Sequence, residues 1–205
     1  MTSFLHPVED RSQIGSVRRA SADIAQSLGF TEPAAGKIAL AITEAGTNIV
    51  KHAGRGMIVL RGFTRGGIGG LEILALDRGP GIADAAASLR DGASTAGTSG
   101  TGLGALSRTA DEFDLYSQGG RGAALRMAFW SQPERAPDGL ELGAVNIAKT
   151  GEVVSGDDWA FESDGHRGTL LVADGLGHGP EAARAARAAT QVLAERPFDP
   201  PEALI

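Results

Sequence analysis

Ala39-Leu40-Ala41-Ile42-Thr43-Glu44-Ala45-Gly46-Thr47-Asn48 decides how this chain is read, because two glycine-rich segments follow it in order. They are Asp77-Arg78-Gly79-Pro80-Gly81 and Gly97-Thr98-Ser99-Gly100-Thr101-Gly102-Leu103-Gly104. Glu44 and Asn48 stand one helical turn apart and project from the same side of a helix. At roughly 100° per residue they lie beside the apolar stripe of Ile38, Ile42, Ala45 and Ile49, so they can face a cleft while the stripe packs. An Asn carbonyl oxygen is a hard ligand suited to Mg²⁺ carried by a triphosphate. A Glu at this spacing can take the proton of an attacking hydroxyl or water.

The strand-like run Leu71 to Leu76 delivers Asp77 to a strand end, where a carboxylate can accept the amino proton of adenine. Gly79 and Gly81 let the backbone come close to the ring. Gly97 to Gly104 offers successive backbone N–H groups and the hydroxyls of Thr98, Ser99 and Thr101 at the start of a helix whose dipole favours phosphate. Taken singly, each piece also reads as ordinary structure: a solvated helix edge, a turn of standard turn residues, a flexible loop. Taken in order they describe one ATP site.

Around this trio the pattern is helix, helix, strand, strand, glycine lid, helix, strand, strand. Ile14, Val17, Ile24, Ala25 and Leu28 mark the first helix, with Gly29 at its end. Pro33 opens the second. Met57–Phe63 and Leu71–Leu76 read as strands joined by a turn holding Gly66, Gly67, Gly69 and Gly70. Leu103–Ala110 reads as a helix, and Glu112–Ser117 with Ala123–Trp130 as a hairpin turning at Gly119-Gly120. The expected class is α+β, with a layer of helices on one face of a mixed sheet. Residues 131–141 form a linker with Pro133 and Pro137. Strands at Leu142–Ala148 and Thr169–Ala173 and an alanine-rich helix at Pro180–Leu193 are expected beyond it.

Composition is that of a globular protein, 42% hydrophobic and 21% charged, with 30 glycines concentrated around the proposed phosphate loops. Zero cysteines exclude a disulfide scaffold and thiolate metal sites. Through Trp130 the charge is about +1, and beyond it −7, within the overall −6; the break marks two units. The acidic part excludes a nucleic-acid binder, whose phosphate contacts need clustered Lys and Arg. No basic start leads into an apolar run and no run reaches membrane-spanning length, so the chain reads as soluble and cytoplasmic, without a membrane partner.

ITEAGTNIVKHAGRG (Ile42–Gly56), LALDRGPGIAD (Leu74–Asp84), LRDGASTAGTSGTGLGAL (Leu89–Leu106) and DEFDLYS (Asp111–Ser117) together resemble the GHKL ATPases. Within that superfamily they are most similar to RsbT-type switch serine kinases of bacterial partner-switching modules such as the stressosome. The resemblance implies a Bergerat-type α/β sandwich over residues 1–130, ATP and Mg²⁺ as cofactors, and serine or threonine of a STAS-domain antagonist as acceptor. It implies Glu44 as catalytic base, Asn48 as Mg²⁺ ligand, Asp77, Gly79 and Gly81 at adenine, and Gly97–Gly104 as phosphate lid. The alternative is an anti-sigma factor that binds ATP at the same site and sequesters a sigma factor.

A second constellation is Ser155-Gly156-Asp157-Asp158-Trp159 with Ala173-Asp174-Gly175-Leu176-Gly177-His178-Gly179. Two strand-end aspartates read either as acidic surface turns or as carboxylates for a pair of hard divalent cations. VSGDDWAF with LLVADGLGHGPEAARAA resembles the opening strands and helix of SpoIIE/PPM-type serine phosphatases, especially RsbX-type enzymes. Asp157, Asp174 and the Gly175 carbonyl then match that family's first metal ligands, for Mn²⁺ or Mg²⁺. The family's later aspartates would fall beyond Ile205, so residues 142–205 read as the N-terminal part of a truncated phosphatase domain.

Overall fold

The computed structural model describes residues 3–89, 102–133, 142–164 and 166–204. Strand β1 (Ser3–Val8) comes first. It holds His6 and Pro7 and lacks the alternation by which a strand is read from sequence. Helix α1 (Arg11–Ser27) starts at a capping box: the Asp10 carboxylate accepts the Ser12 N–H at 2.7 Å while the Gln13 side chain accepts the Asp10 N–H at 3.1 Å. The Ser12 hydroxyl and amide beside Asp10 hold its carboxyl below the usual range. Thr31 caps α2 (Glu32–Asn48), with Pro33 in its first turn and Ile38, Ala41, Ile42 and Ala45 buried along one stripe. A π-helical turn, Ile49–Ala53, extends α2 directly beyond Asn48.

β2 (Gly56–Arg65) and β3 (Ile68–Asp77) form a hairpin around Gly66-Gly67, both at positive φ, as a tight two-residue turn requires. Gly69 and Gly70, expected in that turn, instead lie buried in β3. The reason is close packing. A Cβ at Gly69 would stand 2.4 Å from the Leu28 carbonyl oxygen, and one at Gly70 would stand 2.4 Å from the Phe63 ring. α3 (Ala85–Ser88) follows the Asp77 turn; α4 (Gly102–Thr109), β4 (Glu112–Gln118) and β5 (Gly122–Trp130) lie where the sequence places them.

The five strands run in the order β1-β2-β3-β5-β4, with β3–β5 and β4–β5 antiparallel. Their core face carries Ile58, Leu60, Leu71, Ile73, Leu125 and Met127, which form one cluster with Ile14 and Val17 of α1, Ile38 and Ile42 of α2, and Leu106 of α4. Alternation along β3 turns Glu72 to the opposite face, where it is only 3% exposed. There it receives Arg61 at 2.8 Å and Arg126 at 2.8 Å; Arg126 continues to Glu112 at 2.7 Å and Asp114 at 3.0 Å. The Trp130 indole N–H donates to Glu112 at 2.9 Å, and the Phe63 ring meets Trp130 edge-on.

The chain divides into two compact units, one of residues 5–64 and 68–135, the other of residues 136–205 with 1–4 and 65–67. In the second, β6 (Asp158–Ser163) and β7 (Gly168–Ala173) form an antiparallel hairpin against which α5 (Pro180–Glu195) packs Ala182, Ala183, Ala186 and Leu193, before a short α6 (Pro201–Leu204). The hairpin corner is tied by Asp164, whose carboxylate takes the Arg167 guanidinium at 2.9 Å and is held at a pKa of about 2 by it. The strand expected at Leu142–Ala148 is not formed. Exposure there alternates as in a strand, but the segment joins no ladder: Asn146 accepts the Ser3 N–H at 3.2 Å, donates its own N–H to Ser3 Oγ at 3.4 Å and gives its side-chain amide to the Asp157 carbonyl at 2.8 Å. Among the described residues no helix is long and apolar enough to cross a membrane.

Candidate functional site

α2 buries its apolar stripe, and this fixes where its polar residues go: Glu44 is exposed and Asn48 half-buried on the side away from the core. The head of α4 comes up to them. An ideal Cβ at Gly102 would lie 3.6 Å from Glu44 Oε2 and 3.8 Å from the Asn48 amide nitrogen. Leu103 packs against the core and Gly104 is buried, so the first turn of α4 is anchored beside the Glu44–Asn48 pair. The π-helical turn after Asn48 belongs to a rare class of helix that recurs at functional sites.

Asp77 ends β3 half-buried, and its Oδ1 accepts the Gly79 N–H at 2.8 Å. Gly79 packs directly on the π-helical turn: a Cβ there would stand 2.6 Å from that of Ala53. That contact ties the Asp77 turn to the π-helical turn that continues α2 beyond Asn48. Gly97, Thr98, Ser99, Gly100 and Thr101 lie outside the described residues.

Two contributors escape a reading of local motifs. The Ile82 N–H donates to Ser117 Oγ at 2.7 Å, and the Gly120 N–H donates to the Pro80 carbonyl at 2.9 Å. The β4–β5 turn therefore holds the exit of the Asp77 loop. The YSQGGRG run shows a hairpin turn in sequence, but not which distant loop it grips.

Donor chemistry around Glu44 and Asn48 fits a magnesium nucleotide. Asn48 offers a hard amide oxygen, the neighbouring Glu44 a carboxylate, and Gly102 leaves the space beside both without a side chain.

In the second unit, Asp157 and Asp174 each stand one residue beyond the terminal Asp158↔Ala173 pair, at the same end of β6–β7, and both are exposed. Gly175 follows, buried. Asp158 turns the other way and accepts the Thr190 hydroxyl of α5 at 2.7 Å, a structural contact. His178 Nδ1 lies 2.5 Å from Glu152 Oε1. Among the described residues no group of three or more His, Asp or Glu side chains converges on a point that would hold a metal ion.

The model of the histidine kinase-like ATPase domain matches residues 8–129. The serine/threonine-protein kinase RsbT of Bacillus subtilis (strain 168) is 38% identical over 117 residues, spanning 57% of this chain and 88% of that protein. Among solved structures, the histidine kinase domain from the Erythrobacter litoralis EL346 blue-light activated histidine kinase aligns with a TM-score of 0.38 at 19% identity, over 60% of this chain and 62% of its own.

Proposed function

The chain belongs to the histidine kinase-like ATPase family, and on that premise we propose that it transfers the γ-phosphate of ATP to a serine or threonine of a STAS-domain antagonist in a bacterial partner-switching module. Its kinship with RsbT makes it an enzyme of the serine/threonine-kinase kind. The observation that carries the reading is the head of α4 standing against Glu44 and Asn48, which supports their reading as base and metal ligand beside a phosphate-binding backbone.

In this reading Asp77 accepts the adenine amino proton through the carboxylate oxygen that Gly79 does not occupy. Asn48 would hold Mg²⁺, which when bound neutralises phosphate charge. Glu44 receives the proton of the acceptor hydroxyl as its oxygen bonds the γ-phosphorus. The bond from that phosphorus to the β–γ bridging oxygen breaks, and ADP leaves with the electron pair. Most of the catalysis is therefore positioning and charge neutralisation.

The test is transfer of labelled γ-phosphate into a STAS-domain protein by wild type and by Glu44→Gln. Serine or threonine labelling that vanishes in the variant while ATP binding stays within about twofold supports the roles, since uniform binding and transition-state chemistry separate in this way. Tight ATP binding with no labelling of any STAS protein moves the reading to a sequestering binder. For residues 142–205 we infer the opening segment of a PPM-type phosphatase, supported by Asp157 and Asp174 standing at the same end of the β6–β7 hairpin. Two carboxylates fall short of the oxygen set a pair of divalent cations needs.

A further inference from the structure

The loop that presents Asp77 is held from outside, and most of the hold comes from one end of one hairpin. Ser117 stands on β4, half-buried, and its hydroxyl is used in both directions: it accepts the Ile82 N–H at 2.7 Å and donates to the Gly122 carbonyl at 2.9 Å. Gly122 in turn is pressed on the other end of the same loop, since a Cβ there would lie 2.0 Å from the Asp77 carbonyl oxygen. Between these two points Gly81 passes so close that a Cβ would stand 2.5 Å from the Gln118 carbonyl oxygen and 3.1 Å from Ser117 Oγ. The Gly120 N–H reaches Pro80.

Within the hairpin the hydroxyl makes one contact, its donation to the Gly122 carbonyl at the start of β5. Ser117 pairs with Ala123 through the backbone ladder of β4 and β5, which the side chain leaves untouched. The hydroxyl adds a link across 35 residues of sequence, from β4 to the far end of the Asp77 loop. Serine suits the position because one hydroxyl both accepts from Ile82 and donates to Gly122 at the point where the loop passes closest. Gly79, bonded to Asp77 Oδ1, and Ile82, bonded to Ser117, lie at either side of Pro80-Gly81, so the two bonds fix the loop on both flanks.

We infer that Ser117 is a positioning residue of the nucleotide site, its hydroxyl holding the Asp77–Ile82 loop in the adenine-receiving form before nucleotide arrives. The inference rests on the reading of Asp77 as the adenine contact. It separates binding from chemistry: Ser117 acts on the adenine end, away from Glu44, so its loss weakens nucleotide binding and spares the transfer step.

The experiment uses the full chain as wild type, Ser117→Ala and Ser117→Thr, with MgADP titrated by calorimetry and phosphate transfer followed at varied ATP. For Ser117→Ala the expected result is about tenfold weaker MgADP binding and a matching rise in KM, with kcat within about twofold, because the bond from the Ile82 N–H that presets the loop is gone together with the Gly122 bond that orients the hydroxyl. Ser117→Thr, which keeps a hydroxyl, is expected to recover most of that loss. Unchanged MgADP affinity in a folded Ser117→Ala protein, or a fall in kcat with KM unchanged, overturns the inference. Amide exchange at Ile82 in nucleotide-free wild type gives an answer without any variant. Slow exchange supports a preset loop, and fast exchange that slows only on adding MgADP overturns it. A wild type that binds no adenine nucleotide overturns the nucleotide reading together with this one.

Discussion

Replacing Gly102 by alanine should separate stability from nucleotide binding. Gly102 has an ordinary, non-positive φ at the start of α4, so the backbone admits alanine. The added methyl meets Glu44 Oε2 at 3.6 Å and the Asn48 amide nitrogen at 3.8 Å, both normal contacts, and nothing nearer among the described residues. The folded protein without nucleotide therefore accommodates it. Lowering the entropy of the unfolded chain is worth about 0.4–1 kcal/mol for such a change, a rise of roughly 1–4 °C in Tm. With nucleotide the balance reverses. Asn48 would hold the Mg²⁺ of a bound nucleotide, and a phosphate held with it beside the head of α4 would need the space the methyl takes. Losing one charge-assisted contact costs about 1.5–3 kcal/mol, which is roughly ten- to a hundredfold in affinity. Calorimetric titration with MgATP and a thermal melt on the same samples read both quantities. Gly102→Ala binding MgATP within twofold of wild type would refute the placement of phosphates at the head of α4. A Tm lowered by several degrees would refute the claim that the methyl is harmless to the fold.

Two further outcomes follow from the buried polar groups. Glu72→Gln on the far face of the sheet leaves the 5%-exposed Arg61 facing a neutral amide; breaking a buried ion pair costs about 3–5 kcal/mol, and urea unfolding should show it. Burial lowers the His6 pKa, so folding favours the neutral ring. Its contribution is fully present above the unfolded-state value and is lost as pH falls from there through the lowered folded value. Stability measured from pH 7.5 down to pH 5 should decline less in His6→Gln than in wild type, and identical slopes would remove His6 as the cause.

Sequence carries the parts of this fold whose cause is local. α1, α2 and the β4–β5 hairpin follow from stripes, caps and paired glycines, each legible within a few residues. The helix that carries Glu44 and Asn48 and the turn that carries Asp77 and Gly79 are legible for the same reason. Gly69 and Gly70 read as turn residues because glycine permits a turn; they are strand residues because Leu28 and Phe63 occupy the space above them. The run from Leu142 to Ala148 alternates like a strand yet has no ladder to join, and alternation says nothing about partners. Asp158 sits in an acidic cluster that suggests a metal, while its carboxylate is taken by Thr190 on α5. Ser117 and Gly122 act on a loop far back in the chain, and no local pattern records such a pairing.

The chain has two tryptophans, and they fall one in each unit: Trp130 at 4% exposure ends β5, and Trp159 at 8% lies in β6. Buried indoles shift their emission when water reaches them, so each unit carries its own fluorophore. Trp159→Phe leaves a protein whose emission reports the nucleotide-type unit alone, with the Phe63 ring edge-on to the reporting indole. Trp130→Phe leaves one that reports the second unit alone. Coincident denaturation curves from the two would mean a single cooperative transition, and separated midpoints would mean that either unit can melt while the other stays folded.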